Sequence, residues 1–224
     1  MDLPSVGTVS ARPRRRVALV VAAVVVVFVW AVALWFRVAR PAPGGLDLGW
    51  DAFAGAQRGS PLHAVAEVFA TVGTGLPAVL VTAVVAVLIG VLRGWGWSLF
   101  TIAASLISEL DVLGLKTLAM RARPDSAYGI GTSFPSGHTA NAALLGIVLI
   151  LLVRPLAVRI PVAAYVVAMA WSRTVLHAHW LTDVVGGLAI GVATAILLHA
   201  LWRATLERRS ARRRAINQCL TVTV

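Results

Sequence analysis

The sequence predicts an all-α, polytopic membrane protein with six transmembrane helices. Two observations predict it. Hydrophobic residues make up 59% of the 224 and charged residues only 13%, against about 25% charged in a soluble domain. The hydrophobic residues fall into runs long enough to cross a bilayer, and only helices suit runs of this length. The length fits one domain. The expected organisation is a basic tail over 1–16, a transmembrane domain over 17–202 and a second basic tail over 203–224.

Each element follows from the chain in order. Residues 1–16 are polar and basic, with Arg12, Arg14, Arg15 and Arg16. Val17 to Phe36 carries no charge and suffices for a hydrocarbon core of about 30 Å. The run is longer than the apolar part of a secretory signal, and no small-x-small cleavage site precedes Arg37. The consecutive arginines lack the rest of a twin-arginine signal. A retained first span over 17–36 is expected. Arg37 to Gly75 is a long connection, broken by Pro41-Ala42-Pro43-Gly44-Gly45. Leu46, Trp50, Phe53 and Ala54 recur there at roughly helical spacing, as do Leu62, Val65, Val68 and Phe69. They predict two short helices lying on the membrane surface. His63 and Glu67 read as a solvated helical pair.

Residues 76–92 form a second span, closed by Arg93-Gly94. Residues 95–115 form a third, whose last third carries Glu109 and Asp111, with Lys116 just beyond. Residues 117–136 are a connection containing Pro124, Gly129, Gly131 and Pro135. The fourth span is 137–153, ended by Arg154-Pro155. The fifth is 160–176, with Ser172 and Arg173 near its end. The sixth is 181–202, with Asp183 in its first turn. The tail that follows holds Arg208, Arg209, Arg212, Arg213 and Arg214. Its Cys219 is the chain's one cysteine, which excludes an internal disulfide and a cysteine-rich zinc site; it reads as an incidental thiol. No internal repeat is evident.

The net charge of +11 does not point to nucleic acid. The basic residues are not spread over a soluble face, and no nucleic-acid module pattern occurs. They follow membrane topology instead. With a cytoplasmic N-terminus and six spans, 13 of the 20 Lys+Arg fall inside, as the positive-inside rule requires. Trp35, Trp95, Trp97, Trp171, Trp180 and Trp202 fall near the predicted interfaces. Both termini are then cytoplasmic, in a multi-pass protein of a bacterial cell membrane. The end of span three, the start of four, the end of five and the start of six all meet at the outer face.

Those four places hold the polar residues: Lys116, Arg123, Ser136, Gly137, His138, Arg173, His179 and Asp183. Ionisable groups beside membrane helices are costly and usually functional. Lys116, Arg123 and Arg173 are suited to phosphate oxygens, arginine through its planar fork and lysine as a point charge. Ser136 can cap the fourth span, Gly137 permits close backbone approach, and the free N–H groups there suit an anion. His138 can donate a proton. His179 and Asp183 are four apart and touch if both are helical. A carboxylate on one imidazole N–H leaves the other nitrogen as a nucleophile. His177, two residues away, points elsewhere. Arg121 and Asp125 read as loop salt bridges, and Glu109 and Asp111 as structural partners of Lys116 or Arg123.

In order, the chain reads Lys116-x6-Arg123-Pro124, then Pro135-Ser136-Gly137-His138, then Ser172-Arg173-x5-His179-x3-Asp183. With every motif position filled, it resembles the type 2 phosphatidic acid phosphatase family, which shares its site with vanadium haloperoxidases. The resemblance implies the helical core of that family and its roles. His179 attacks phosphorus to form a phosphohistidine, and Asp183 orients it. His138 protonates the leaving oxygen and then activates water. Lys116, Arg123 and Arg173 hold the phosphoryl oxygens, with Ser136 and Gly137 assisting. It also implies no metal and no cofactor, and a lipid phosphate met at the bilayer: phosphatidate, phosphatidylglycerol phosphate or a polyprenyl pyrophosphate. Phosphotransfer to a lipid or sugar acceptor is the alternative. A haloperoxidase fits the spans less well, and a non-enzymatic scaffold would predict a broken motif. Nothing in the sequence fixes the oligomeric state.

Overall fold

The computed structural model describes residues 11–128, 132–153 and 155–222. Expectations resting on residues 1–10, Gly129, Gly131 and Arg154, and on the side chains of Arg12, Arg14, Arg213 and Cys219, lie outside the described residues. The elements are α1 (Ala11–Ala39), α2 (Gly45–Ala54), α3 (Pro61–Val72), α4 (Gly75–Arg93), α5 (Trp95–Ala119), a 3-10 turn (Ser126–Tyr128), α6 (Gly137–Leu152), α7 (Leu156–Val175) and α8 (Leu181–Val222). No strand occurs among the described residues.

Helix ends follow local chemistry. Arg40 turns left-handed at φ 43° and ends α1 just before Pro41. Ser60 caps α3 by accepting the His63 N–H at 3.2 Å, with Pro61 in the first turn. Gly94, at φ 100°, makes the reversal from α4 to α5, a conformation that suits glycine. Met120 closes α5 in the left-handed region, its N–H on the Lys116 carbonyl.

Among the described residues five helices are long and apolar enough to cross a membrane: Arg15–Ala39, Gly75–Arg93, Trp95–Ala119, Leu156–Val175 and Leu181–Arg212. The sixth expected span, α6, has 16 residues, or about 24 Å at 1.5 Å per residue. It falls short of a full crossing by length alone. α1 begins at Ala11, six residues before the expected span and inside the expected tail, and α7 begins at Leu156, four before. α5 runs past the expected end at 115 and takes Lys116 into its last turn. α8 does not stop at 202 but continues to Val222, so most of the expected tail is helical.

α6 is the packing centre and touches α4, α5, α7 and α8. Its closest neighbour is α8, and glycines allow the approach. A Cβ on Gly187 would lie 2.5 Å from the Ser136 carbonyl oxygen, and one on Gly191 2.2 Å from that of Ala140. The two glycines are spaced Gly-x3-Gly on α8, the small-residue pattern by which membrane helices bring backbones together. Leu144, Leu145, Val148 and Leu152 of α6 then pack with Ile89, Phe100 and Ala104. On the other side, Val29, Ala33 and Phe36 of α1 join Val112 and Leu115 of α5 and Ile190 of α8.

The two short helices expected on the membrane surface exist. α2 contacts α7 and α8, and α3 contacts α7 and α4. Ala56 and Ala66 pack with Val175, Leu176 and Ala178 in the α7–α8 turn. Leu46, Phe53, Leu62, Val65 and Val68 remain exposed. His63 departs from expectation: it is buried rather than solvated, with Nδ1 3.7 Å from exposed Glu67.

Candidate active site

The end of α5, the start of α6, the end of α7 and the start of α8 meet at one end of the bundle, as helix direction requires. Backbone hydrogen bonds tie their loops together. The Ser136 N–H reaches the Asp183 carbonyl at 3.0 Å, the Asp125 N–H the His177 carbonyl at 2.9 Å, and the Ser133 N–H the Arg121 carbonyl at 2.9 Å. Between them lies a cavity of about 440 Å³, lined by Lys116, Arg123, Gly137, His138, Arg173 and His179, with Glu109, Val112, Leu113, Tyr128 and the Gly73-Thr74-Gly75 turn. A larger cavity between α1 and α8, about 820 Å³, is lined by aliphatic side chains alone and offers no chemistry.

The three cations are held without neutralisation. Lys116 Nζ donates to the Thr132 carbonyl at 2.6 Å, and Arg123 Nη2 reaches the same carbonyl at 3.2 Å. Arg123 Nη1 also donates to the Ala178 carbonyl at 2.8 Å. Burial lowers the Arg123 pKa, with Asp183 acting in the opposite sense. Arg173 is only 4% exposed, and its Nε finds no acceptor among the described residues. Among the described residues no carboxylate lies within ion-pair distance of Lys116, Arg123 or Arg173. Arg173 is buried and Lys116 and Arg123 are partly buried; cations withdrawn from water without a carboxylate are costly, and a cavity lined by three of them is built for an anion.

His179 is 2% exposed and sits in the turn before α8, not in the helix. Its Nε2 is 3.0 Å from Arg123 Nη1. Arginine can only donate, so Nε2 is the acceptor and the proton is on Nδ1. Nδ1 faces Asp183 Oδ2 at 3.7 Å, an electrostatic contact longer than a hydrogen bond. Burial pushes the His179 pKa down to about 3, against the raising effect of Asp183. The ring is therefore neutral near pH 7, with its Nε2 lone pair directed to Arg123 at the cavity wall.

Asp183 is fully buried, and its neighbours fix its orientation. Oδ2 accepts from the Trp180 N–H at 2.9 Å and from the Ser133 hydroxyl. The Trp180 bond is half of a capping box at the start of α8, the N3 carboxylate reaching back to the cap N–H. Oδ1 accepts from Arg121 Nη1 at 2.5 Å, and Arg121 Nη2 bonds Asp47 of α2 at 2.5 Å. Asp47 also accepts from the Thr182 N–H at 2.9 Å and its hydroxyl at 2.8 Å. The Arg121 guanidinium lies 4.3 Å from the Phe36 ring centroid, within cation–π range. Arg121 is thus a salt-bridging residue, but one buried against Asp183 rather than pairing within its loop.

His138 lies at the cavity edge. Its Nε2 is 2.7 Å from Thr74 Oγ1 and 3.2 Å from the Ala70 carbonyl. The Thr74 hydroxyl donates to that carbonyl at 2.7 Å, so it accepts from His138, which places the proton on Nε2. Gly73 makes room: a Cβ there would lie 2.4 Å from His138 Cδ2. Gly137 lines the cavity, where first-turn helix N–H groups lack intrahelical partners. Ser136 occupies the cap position but does not cap with its side chain; its Oγ instead accepts from Thr139 at 3.1 Å. It is fully buried behind the cavity.

The remaining polar residues lie elsewhere. His177 turns away at φ 54° and bonds Asp51 of α2 through Nδ1 at 2.8 Å. Asp125 pairs with Arg58 and accepts the Ala127 N–H at 2.8 Å; that backbone bond and Arg58 lower its pKa. Asp111 accepts from Trp30 Nε1 at 3.0 Å, not from the expected cations. Ser172 donates to the Met169 carbonyl at 2.8 Å. Thr74, Tyr128, Ser133 and Asp47 carry no motif signal. Thr74 alone had a local one, a threonine at the entrance to an apolar helix.

The fold has solved relatives. One is the first transmembrane PAP2 type phosphatidylglycerolphosphate phosphatase from Bacillus subtilis, 24% identical with a TM-score of 0.65, covering 79% of this chain and 94% of that one. Another is Aquifex aeolicus LpxE, 22% identical with a TM-score of 0.59, covering 70% and 96%. At these identities the likeness is one of fold. No curated protein sequence matches significantly. The profile of the PAP2 superfamily matches residues 94–207, just over half of the chain and the whole stretch from α5 into α8 that carries the cavity's cations and histidines. The chain belongs to the PAP2 superfamily.

Proposed function

We propose that the protein is an integral membrane phosphatase that hydrolyses lipid phosphate or pyrophosphate monoesters through a phosphohistidine. One observation carries this reading: three cations without carboxylate partners share a cavity with a neutral, oriented imidazole. The superfamily membership supports it, as do the two relatives, which are named as a phosphatidylglycerolphosphate phosphatase and LpxE.

The chemistry divides into two displacements. In the first, His179 Nε2 attacks phosphorus, an N–P bond forms and the bond to the leaving oxygen breaks. His138, entering the step as an imidazolium, gives that oxygen a proton and returns to the neutral ring. Asp183 stabilises the charge left on the ring, with Nδ1–H toward it. In the second, His138 takes a proton from water, the water oxygen bonds phosphorus, and the N–P bond breaks to return His179. Lys116, Arg123, Arg173 and the Gly137 N–H hold the phosphoryl oxygens throughout, and Ser136 supports that turn from behind. Phosphoryl transfer depends mainly on positioning and charge stabilisation, so these fixed cations serve where other enzymes use a metal, and the reaction is metal-independent.

α6 serves as the sixth span, as the innermost helix of a domain over 17–202. The tails over 1–16 and 203–224 are cytoplasmic and the cavity faces the outer side, where a lipid headgroup arrives with its chains still in the bilayer.

The test is phosphate release from a panel of lipid phosphates by purified protein. Full activity is expected in chelator; activity abolished by chelator and restored by a divalent ion contradicts the metal-free scheme. Labelled lipid phosphate should leave acid-labile label on the protein. His179→Ala should remove both label and turnover, by roughly 1,000-fold or more, with insertion intact. Near wild-type turnover in that variant, or label passed to a lipid or sugar instead of water, overturns the hydrolytic scheme.

A further inference from the structure

The α3–α4 turn reaches the histidine that handles protons. Thr74 Oγ1 lies 2.7 Å from His138 Nε2, and the Ala70 carbonyl at the end of α3 lies 3.2 Å from the same nitrogen. A carbonyl only accepts, and this one takes the Thr74 hydroxyl proton at 2.7 Å. The hydroxyl oxygen is then left to accept, so both partners of Nε2 are acceptors. Thr74 opens α4 without a side-chain cap, although threonine commonly caps. Its hydroxyl serves the pair of His138 and Ala70 instead.

The ring is held on a second atom as well. A Cβ on Gly73 would lie 2.4 Å from His138 Cδ2 and 3.1 Å from Met169 Cε, so the turn backbone lies directly against the imidazole. Cδ2 and Nε2 are neighbours in the ring, and both face the turn. Nδ1 adjoins neither. It makes no hydrogen bond among the described residues and is not fully buried. Because His138 lines the phosphate cavity, Nδ1 is the ring nitrogen left for it.

We propose that Thr74 is a positioning residue for the proton transfers: with the Ala70 carbonyl it holds the Nε2 proton, so that Nδ1 is the nitrogen that exchanges protons with substrate and water. This rests on the phosphatase reading above. In the first displacement the imidazolium gives its Nδ1 proton to the leaving oxygen as the P–O bond breaks, and the ring becomes neutral. In the second, Nδ1 takes a proton from water as the water oxygen bonds phosphorus and the N–P bond breaks. The Nε2 proton stays on Thr74 and Ala70 throughout. A ring freed from this anchor samples orientations in which neither nitrogen is aimed at the leaving oxygen.

The experiment compares a diacylglycerol phosphate with the diacylglycerol pyrophosphate of the same chains. The leaving oxygen is an alkoxide in the first and a phosphate oxygen in the second, which departs with less need of an acid. Initial phosphate release by the full-length protein is followed on each. Thr74→Val keeps the side-chain shape and removes the hydroxyl. It should lower kcat on the monophosphate about tenfold or more, with KM within about twofold of wild type, and lower kcat on the pyrophosphate much less. Thr74→Ser keeps the hydroxyl and should restore most of the lost rate. Equal loss on both lipids, no loss on either, or a serine variant as slow as the valine one overturns the proposal. Nitrogen-15 spectra of the wild-type protein test the anchor without a variant: neutral His138 should carry its proton on Nε2, and an Nδ1–H tautomer overturns the proposal. Release from neither lipid by the wild-type protein sinks the phosphatase reading and this proposal with it; release from both, with uniform loss in Thr74→Val, sinks this proposal alone.

Discussion

His179 shows how a buried residue is made reactive by what surrounds it. Arg123 takes its Nε2 lone pair at 3.0 Å, and Asp183 faces its Nδ1. Burial holds its pKa near 3, against about 6.5 in an unfolded chain. The sign of the consequence is fixed. Below about pH 6.5 the unfolded chain takes up a proton that the folded one refuses, so stability falls with acidification. The melting temperature in detergent should drop from pH 7.5 to 5, and His179→Gln should flatten that dependence. Nitrogen-15 spectra should show one neutral His179 tautomer across the range; a titration near 6.5 contradicts the burial argument. Arg121 supplies a second residue-scale case. Its fork bridges Asp47 and Asp183, a geometry that a lysine point charge cannot reproduce. Breaking one arm of a buried pair costs about 3–5 kcal/mol. Arg121→Lys should therefore lower stability by an amount of that order, and turnover with it, measured as denaturation midpoint and kcat on the same preparation.

At the scale of elements, legibility divides by mechanism. Lys116, Arg123, His138, Arg173, His179 and Asp183 were readable because ionisable groups beside apolar runs have few structural excuses. Helix direction then brought them together before any coordinates. Asp47 was not readable. It lies in a short amphipathic helix with Asp51, where solvation is the ordinary explanation. Only the folded chain shows it turned inward to Arg121 and Thr182. Thr74 was hidden for a related reason, since a threonine opening a helix usually caps it, whereas this one holds His138. His177 was set aside on helical periodicity, although it lies in a turn; its left-handed backbone, not a helix face, directs it to Asp51. The α6–α8 contact was equally silent in the apolar pattern. Gly191 permits it, and a Cβ there would lie 2.2 Å from backbone. Gly191→Ala should force the helices apart and lower both melting temperature and turnover. Gly49→Ala on α2, with nothing within 4 Å, should change neither.

For the whole molecule, the hydrophobic runs located the eight α-helices of the described residues, but α1 begins six residues earlier than expected, at Ala11, α7 four earlier, at Leu156, and α8 runs on to Val222. That continuation was obscured because a basic, polar stretch reads as a tail whether or not it is helical. Orientation rests on charge: 13 of 20 cations fall on the proposed inner side. The single cysteine makes this measurable without engineering a background. In intact cells a membrane-impermeant thiol reagent should spare Cys219 and modify it after lysis, while Arg58→Cys should react from outside. The reverse pattern inverts the topology and places the cavity on the cytoplasmic side.

The Asp47–Arg121–Asp183 clamp also sets a timetable for synthesis. Asp47 emerges from the ribosome 74 residues before Arg121, and Arg121 emerges 62 before Asp183. Until the last helix emerges, Asp47 and Arg121 can find each other, but the second arm of the arginine fork has no partner. The site is therefore completed by its final segment. A chain stopped before α8 lacks Asp183 and leaves the arginine fork half empty, so ribosome-tethered chains should gain resistance to proteolysis in the α5–α6 loop only once α8 has cleared the exit tunnel.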